Sequence, residues 1–328
     1  MKRGSCFALV IMLCVCLPAQ ACLFKRAAAR PQPEVAALPA LNPGQAQLLL
    51  KTIKPDAALV IKNLYFTAPR AEVPKTQSVY VSPKYVNLGR QFISDNQEQF
   101  DRLAAIYPVP REVITAILTI ETKLGTYEPR YNVLQTFVSM AAVFNVEFWN
   151  ELVATYGDKY PELRTPEGRA KALKRGQWAT SELIAYLGLC EQLNLDPLSQ
   201  KGSFSGAMGP GQFMPTSFVR FGVDGDGDGV RNPFSMNDML ASIANYLTLA
   251  GWNSESETAK RQAVWSYNHH EVYVNSVLNL AAELAAPADP AAPSSPASCG
   301  PAPEQPSNPM PAAPLAAPLN QSTAQQQQ

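Results

Sequence analysis

Two groups of residues in this chain have the types and spacing for chemistry. The first is the run Gly202-Ser-Phe-Ser-Gly-Ala-Met-Gly-Pro-Gly-Gln-Phe-Met-Pro215. Its glycines let the backbone approach something bulky. Ser203, Ser205 and Gln212 are neutral hydrogen-bonding groups, and Phe204 and Phe213 offer flat apolar faces. Neutral donors and acceptors suit hydroxyl and amide groups, and aromatic faces suit sugar rings, so the run reads as a carbohydrate site. A phosphate cradle is excluded, because no Lys follows the glycines as a P-loop requires.

The second is Glu121. Ile114, Ile117, Glu121 and Leu124 recur at helical spacing and share one face. Glu121 therefore stands where a core residue belongs. Burial disfavours the charged form of a carboxyl and raises its pKa. Such a group can donate a proton near neutral pH, as cleavage of a glycosidic bond requires. The bland alternative is a carboxylate paired with an Arg, or one that meets water at the end of the apolar face. Glu112, in the first turn of the same helix, reads as solvated and complementary to the helix dipole.

Downstream, Asp224-Gly-Asp226-Gly-Asp228-Gly229-Val230 has the first half of an EF-hand loop. Asp224, Asp226 and Asp228 fall at alternate positions, Val230 would add its carbonyl, and Gly229 permits the sharp turn. The twelfth position is Ser235 instead of Glu, which leaves Asp238 to reach back and close the site. The expected ion is a structural Ca²⁺, with a metal-free glycine-aspartate turn as the alternative.

Other chemistries have little to stand on. The two histidines, His269 and His270, are adjacent and diverge on a helix, which disfavours a His-based zinc site or a Ser-His-Asp triad. Cys190 reads as a small buried side chain. Twenty-seven basic residues balance 27 acidic ones, so nothing in the charge supports a nucleic-acid partner.

Helices must position these groups. The apolar spacing predicts helices over 42–54, 85–107, 110–124, 132–149, 171–193, 236–250 and 261–284, with 65–81 and 159–169 as loops. In 171–193, Trp178, Leu183, Ile184, Leu187 and Cys190 share the inward side. No long period-two run predicts a dominant sheet.

The ends of the chain read differently. Residues 1–21 have the charged start, short apolar run and small-residue end of a secretory signal. Cys22 follows, and two readings stay open: cleavage after Ala21, or acylation of Cys22 and anchoring to the outer membrane. Residues 22–40 read as an envelope linker and 41–284 as the catalytic domain. Eleven of the 29 prolines lie after Leu284, so 285–328 reads as a disordered Pro/Ala/Gln-rich tail.

Glu121 and the glycine-rich run together resemble the lytic murein transglycosylase B family, glycoside hydrolase family 103. The resemblance is carried by Val109-Pro110, Ile120-Glu121-Thr122 with Gly125, Asp196-Pro197 and Lys201 to Pro215. The acidic loop, Ala244-Asn245-Tyr246, Gly251-Trp252 and Tyr267-Asn268-His269 follow in order. It extends over about residues 85–280. It implies a mainly α, lysozyme-like core with a single EF-hand-like loop. It also implies cleavage of the β-1,4 bond between N-acetylmuramic acid and N-acetylglucosamine, leaving a 1,6-anhydro end.

Carried over by position, Glu121 is the single acid/base. Ser203 resembles the contact to the muramoyl acetamido group, Gln212 and Asn268 resemble polar contacts to sugar, and Phe213 lines the cleft. Tyr267 and Tyr273 resemble tyrosines beside the acid. Phe213 and Tyr273 could equally be core aromatics, and Ser203 and Gln212 turn residues. The implied partners are peptidoglycan strands and the implied location is the periplasm or cell envelope, with a monomer expected. The chain departs from the family at Leu124, where a Trp is usual, and at Phe144-Asn145-Val146-Glu147, where an Arg pair is usual. The short 253–266 segment also implies that a small lobe is missing. The rival readings are a peptidoglycan-binding protein without activity and a muramidase that uses water.

Overall fold

The computed structural model describes residues 53–65 and 81–287. The expected signal, Cys22, the linker, the helix at 42–54 except its end, most of the 65–81 loop and all but the start of the tail lie outside the described residues. Among those described, no helix is long and apolar enough to cross a membrane.

Eleven α-helices carry the described fold: α1 (Ala57–Tyr65), α2 (Pro83–Asp95), α3 (Gln97–Ala104), α4 (Arg111–Thr122), α5 (Val133–Ala141), α6 (Val146–Tyr156), α7 (Pro166–Gln192), α8 (Pro215–Phe221), α9 (Met236–Leu249), α10 (Glu257–Tyr267) and α11 (Glu271–Ala285). A two-stranded antiparallel ribbon joins β1 (Tyr131–Asn132) to β2 (Lys201–Gly202), pairing Tyr131 with Gly202 and Asn132 with Lys201. The mainly α expectation holds.

Helix α4 is central. Every residue from Val113 to Ile120 is buried, as in a helix surrounded by protein. Its main neighbours are α11 and α2, while α5 packs on α7. One large core unites these helices, and a smaller one lies around Val60, Leu64, Trp149 and Leu152.

Three expected helices prove to be broken. The 85–107 segment divides at Asn96, whose side-chain amide donates to Phe92 O (2.8 Å) and closes α2. The 132–149 segment divides at Asn145, whose side chain accepts from Phe148 N (2.8 Å) and starts α6. The 261–284 segment divides at Asn268 and His270, both extended. At each break a short polar side chain or an extended residue overrides an apolar period that runs on in the sequence. Helix α7 begins earlier than expected, where Thr165 accepts from Gly168 N (3.0 Å), so the 159–169 loop is in part helical. Its inward face also differs. Ile184 is 43 % exposed, and Glu182 is buried in its stead.

Candidate active site

The glycine-rich run folds as two successive tight turns. Ser203 N donates to Ala207 O (2.9 Å), and Met208 and Phe213 exchange both backbone hydrogen bonds (2.8 and 3.0 Å). The glycines answer to the protein's own bulk. Gly206 has φ +90° and a Cβ there would collide with the Phe137 ring; Gly209 has φ +66° and a Cβ would collide with Pro233 O. Side chains at either position would combine a disfavoured conformation with a clash. The close approach expected from the sequence is thus to the run's own supports.

Neither phenylalanine is a platform for a sugar ring. Phe204 is 2 % exposed and Phe213 4 %. Phe213 meets Tyr267, Tyr246 and Phe218 edge to face. The reading of Phe213 as a cleft-lining face gives way to a core role: it is a wedge beneath the run. Ser203 and Gln212 stay partly exposed. Ser203 Oγ accepts from Ser205 N (3.2 Å) and Ala207 N (3.1 Å), which leaves its hydroxyl proton to donate outward. Gln212, at φ +54°, turns its amide to Gly209 O (2.9 Å) and keeps its side-chain oxygen as an acceptor.

Glu121 ends α4 beside this run. Next to it, Thr122 Oγ1 donates to Pro210 O (2.7 Å) and accepts from Gly125 N (3.0 Å). The helix stops two residues earlier than the apolar face suggested. Lys123 (φ 51°), Leu124 (φ 61°) and Gly125 (φ 81°) are all left-handed, and Leu124 N donates back to Leu118 O (3.0 Å). For the two non-glycine residues this costs roughly 1–3 kcal/mol each, the kind of strain that collects at functional sites.

Residue 121 keeps some solvent contact, yet protein packs closely enough around its carboxyl to desolvate it. Burial pushes its pKa up to about 7, opposed by the Tyr273 hydroxyl. That hydroxyl is buried and faces Glu121, but the pair falls short of full hydrogen-bond geometry. Such contacts are often long in free enzymes and tighten around substrate.

Tyr273 and Tyr267 lie nearly parallel, 6.4 Å apart, and Tyr267 Oη donates to Gly211 O (2.6 Å). Burial first, then the charge of Glu121, raises both phenols well above their ordinary pKa. Asn268 is buried at the end of α10. The structure therefore brings Glu121, Tyr273, Tyr267 and the Pro210–Gln212 segment into one cluster, with Ser203 at the far end of the same run.

Sequence reasoning missed the supports of the run. Asn63, on α1, donates to Phe204 O (2.8 Å) and accepts from Ser205 Oγ (2.8 Å) and Arg175 (3.3 Å). The Arg175 guanidinium stacks on Trp178 at 3.6 Å, and burial brings its pKa down to about 10. Glu182 accepts from Thr216 N (2.9 Å) and Thr216 Oγ1 (2.7 Å) at the start of α8. Arg175 and Glu182, two turns apart on α7, thus act on opposite ends of the run. Their spacing was the available signal. Cys190 is buried as expected, and its thiol is pushed up to about 11 by that burial.

The acidic loop places three carboxylates together: oxygens of Asp224, Asp226 and Asp238 lie within 4.8 Å of one another. Asp238 accepts from Gly225 N (2.8 Å) and Asn232 N (2.7 Å), fixing the start of α9 to the loop. Asp228 stands outside this trio and accepts from Val230 N (2.7 Å). A close all-oxygen donor set fits a hard cation such as Ca²⁺.

The fold is that of the lytic transglycosylases. The *Escherichia coli* lytic transglycosylase Slt35, solved with bulgecin A and with calcium, superposes with TM-scores of 0.59 and 0.58. In both, identity is 22 %, and the alignment covers 74 % of this chain and 87 % of Slt35. SltB3 from *Pseudomonas aeruginosa*, solved with NAG-anhNAM-pentapeptide, gives a TM-score of 0.50 at 23 % identity, over 66 % of this chain and 50 % of SltB3. The chain belongs to the transglycosylase SLT domain family, which it matches over residues 40–263. It is also 30 % identical over 180 residues to the membrane-bound lytic murein transglycosylase B of *E. coli* K12, covering 55 % of this chain and 42 % of that protein. The chain thus spans less than half the length of this curated relative.

Proposed function

We propose that this protein is a peptidoglycan lytic transglycosylase of the cell envelope. Glu121 carries the reading: it is a carboxyl held near neutrality by burial, with two phenols on one side and the glycine-rich run on the other. Family membership supports the substrate class, as do the murein transglycosylase related in sequence and the NAG-anhNAM-pentapeptide bound by SltB3.

In this reading the protonated carboxyl of Glu121 gives its proton to the oxygen between muramic acid and glucosamine. The C1–O bond breaks, and the glucosamine leaves with a free hydroxyl. The substrate's acetamido group supports the electron-poor C1, and Ser203 Oγ–H donates to that group's carbonyl. The Glu121 carboxylate then takes the proton from the muramoyl C6 hydroxyl as its oxygen bonds to C1. A 1,6-anhydro ring results, Glu121 ends protonated, and no water is consumed. No second carboxylate occurs within the motifs around Glu121 and the glycine-rich run, which fits a one-acid cycle better than a two-carboxylate hydrolysis. Gln212 and Asn268 would hold sugar hydroxyls and amides.

Ca²⁺ would be held by Asp224, Asp226 and Asp238, with Val230 and Asp228 as further candidates, and would stiffen the connection from the run to α9. Solved Slt35 with calcium supports this. Residues 1–21 would direct export, with Cys22 as the candidate lipid anchor.

The test is digestion of purified peptidoglycan followed by mass spectrometry of the fragments. Ends lighter than hydrolysed ends by one water are expected. Reducing ends would replace this reading with hydrolysis, and binding without release would replace it with a non-catalytic module.

A further inference from the structure

Ser203 is the outward donor of the glycine-rich run, and what fixes it lies on another helix. Its Oγ accepts from Ser205 N (3.2 Å) and Ala207 N (3.1 Å). The Ser205 N–H belongs to the peptide unit whose carbonyl is Phe204 O. A trans peptide is planar, and its C=O and N–H point in opposite directions. Asn63 Nδ2 donates to Phe204 O (2.8 Å). The amide of Asn63 thus grips one end of a rigid plate whose other end holds the Ser203 hydroxyl. Hydrogen bonding at the carbonyl also strengthens the N–H of the same peptide as a donor. Ser205 Oγ donates to Asn63 Oδ1 (2.8 Å), so Asn63 holds this peptide from two sides.

Asn63 is itself held in one orientation. It is 6 % exposed on α1, and its side chain uses both donors and both acceptor positions. Nδ2 also donates to Leu59 O (3.0 Å) one turn back, and Oδ1 also accepts from Arg175 Nη2 (3.3 Å). A flipped amide would set its oxygen against two carbonyls and its nitrogen against a guanidinium. The neighbouring Lys62 donates to Tyr131 Oη (2.6 Å), and Tyr131 pairs with Gly202, on the other side of Ser203. Helix α1 therefore steadies both flanks of Ser203.

We propose that Asn63 is a positioning residue for Ser203, and that it thereby sets the enzyme's preference for N-acetylated muramoyl units. This assignment rests on the transglycosylase reading, in which Ser203 meets the acetamido carbonyl.

The test measures binding to the full-length protein carrying Glu121→Gln, which removes turnover. The ligands are a glycan oligomer of N-acetylglucosamine and N-acetylmuramic acid, and the same oligomer with free muramoyl amines. The acetylated oligomer is expected to bind up to about tenfold more tightly, the worth of one net hydrogen bond. Adding Ser203→Ala should bring this ratio to unity. Adding Asn63→Ala should do the same while affinity for the free-amine oligomer stays unchanged. The charge of the freed amine enters every variant alike and cancels from the comparison. Asn63→Ser, whose hydroxyl can return to Leu59 O on its own helix, takes its place if Asn63→Ala melts early. A ratio that survives the Asn63 substitution while Ser203→Ala abolishes it overturns this assignment alone. An equal loss of affinity for both oligomers makes Asn63 a structural residue only and overturns it too. No preference in the parent, or one that survives Ser203→Ala, overturns the acetamido role of Ser203 and this assignment with it.

Discussion

Glu121 and Glu182 are both helical glutamates turned toward the protein, and burial raises the pKa of both. They differ in what answers the carboxyl. Glu182 receives two hydrogen bonds from Thr216, is further eased by the Trp178 indole, and feels the charge of Arg175. Among the described residues, Glu121 has only the incomplete contact with Tyr273. A satisfied buried carboxylate fixes structure, whereas an unsatisfied one that still meets solvent keeps a proton to give. Burial alone would not tell these two apart; the partners do.

The largest effect that would sharpen this contrast is loss of turnover. Glu121→Gln should lower kcat by about 10²–10⁴, the range of general acid–base catalysis, with the fold intact by circular dichroism. The same variant carries a stability signature. The folded pKa of about 7 lies above the ordinary 4.5, so the unfolded chain releases this proton first as pH rises. Native stability attributable to this group is kept below pH 4.5 and lost progressively up to about 7. Glu121→Gln should therefore gain melting temperature relative to the parent on going from pH 5 to pH 8. A constant difference across that window would mean that the carboxyl is not held protonated.

Glu182→Gln should reverse the pattern. It leaves Arg175 without its counter-charge and weakens the hold on Thr216, costing about 2–4 kcal/mol in chemical denaturation. The folded fraction should keep kcat within a few-fold. A loss of kcat as deep as that of Glu121→Gln would erase the distinction between the two residues.

The trio of Asp224, Asp226 and Asp238 is a third arrangement, in which carboxylates crowd one another. Saturating Ca²⁺ should raise the melting temperature by about 5–10 °C over chelator, from roughly 2.7 kcal/mol of linkage at a hundredfold excess over Kd. Asp238→Asn should remove most of that gain. Coincident melts would dismiss the metal.

The smallest expected effect belongs to Tyr273→Phe. Its hydroxyl lowers the Glu121 pKa, so its loss should move the alkaline limb of the kcat/KM profile upward by less than about one unit. A downward shift would show that the hydroxyl favours the protonated acid.

Much of this was legible because it is local. The 114/117/121 face and the glycine-rich run each sit within a few residues of their cause. Phe204 and Phe213 were misjudged as open faces because exposure depends on Tyr131, Tyr246 and Tyr267, which are distant in sequence. Asn63 was invisible for the same reason: Arg175 lies 112 residues away and Ser205 142. The apolar period carried helices through Asn96 and Asn145, where one side-chain amide is enough to stop them.

The parallel phenols of Tyr267 and Tyr273 offer an optical handle. Both resist ionisation, so they should stay silent in an alkaline ultraviolet titration of the native protein while exposed tyrosines convert to phenolate. A brief jump to high pH would then report the opening of this buried cluster as a late rise in absorbance, separate in time from the prompt signal of the surface.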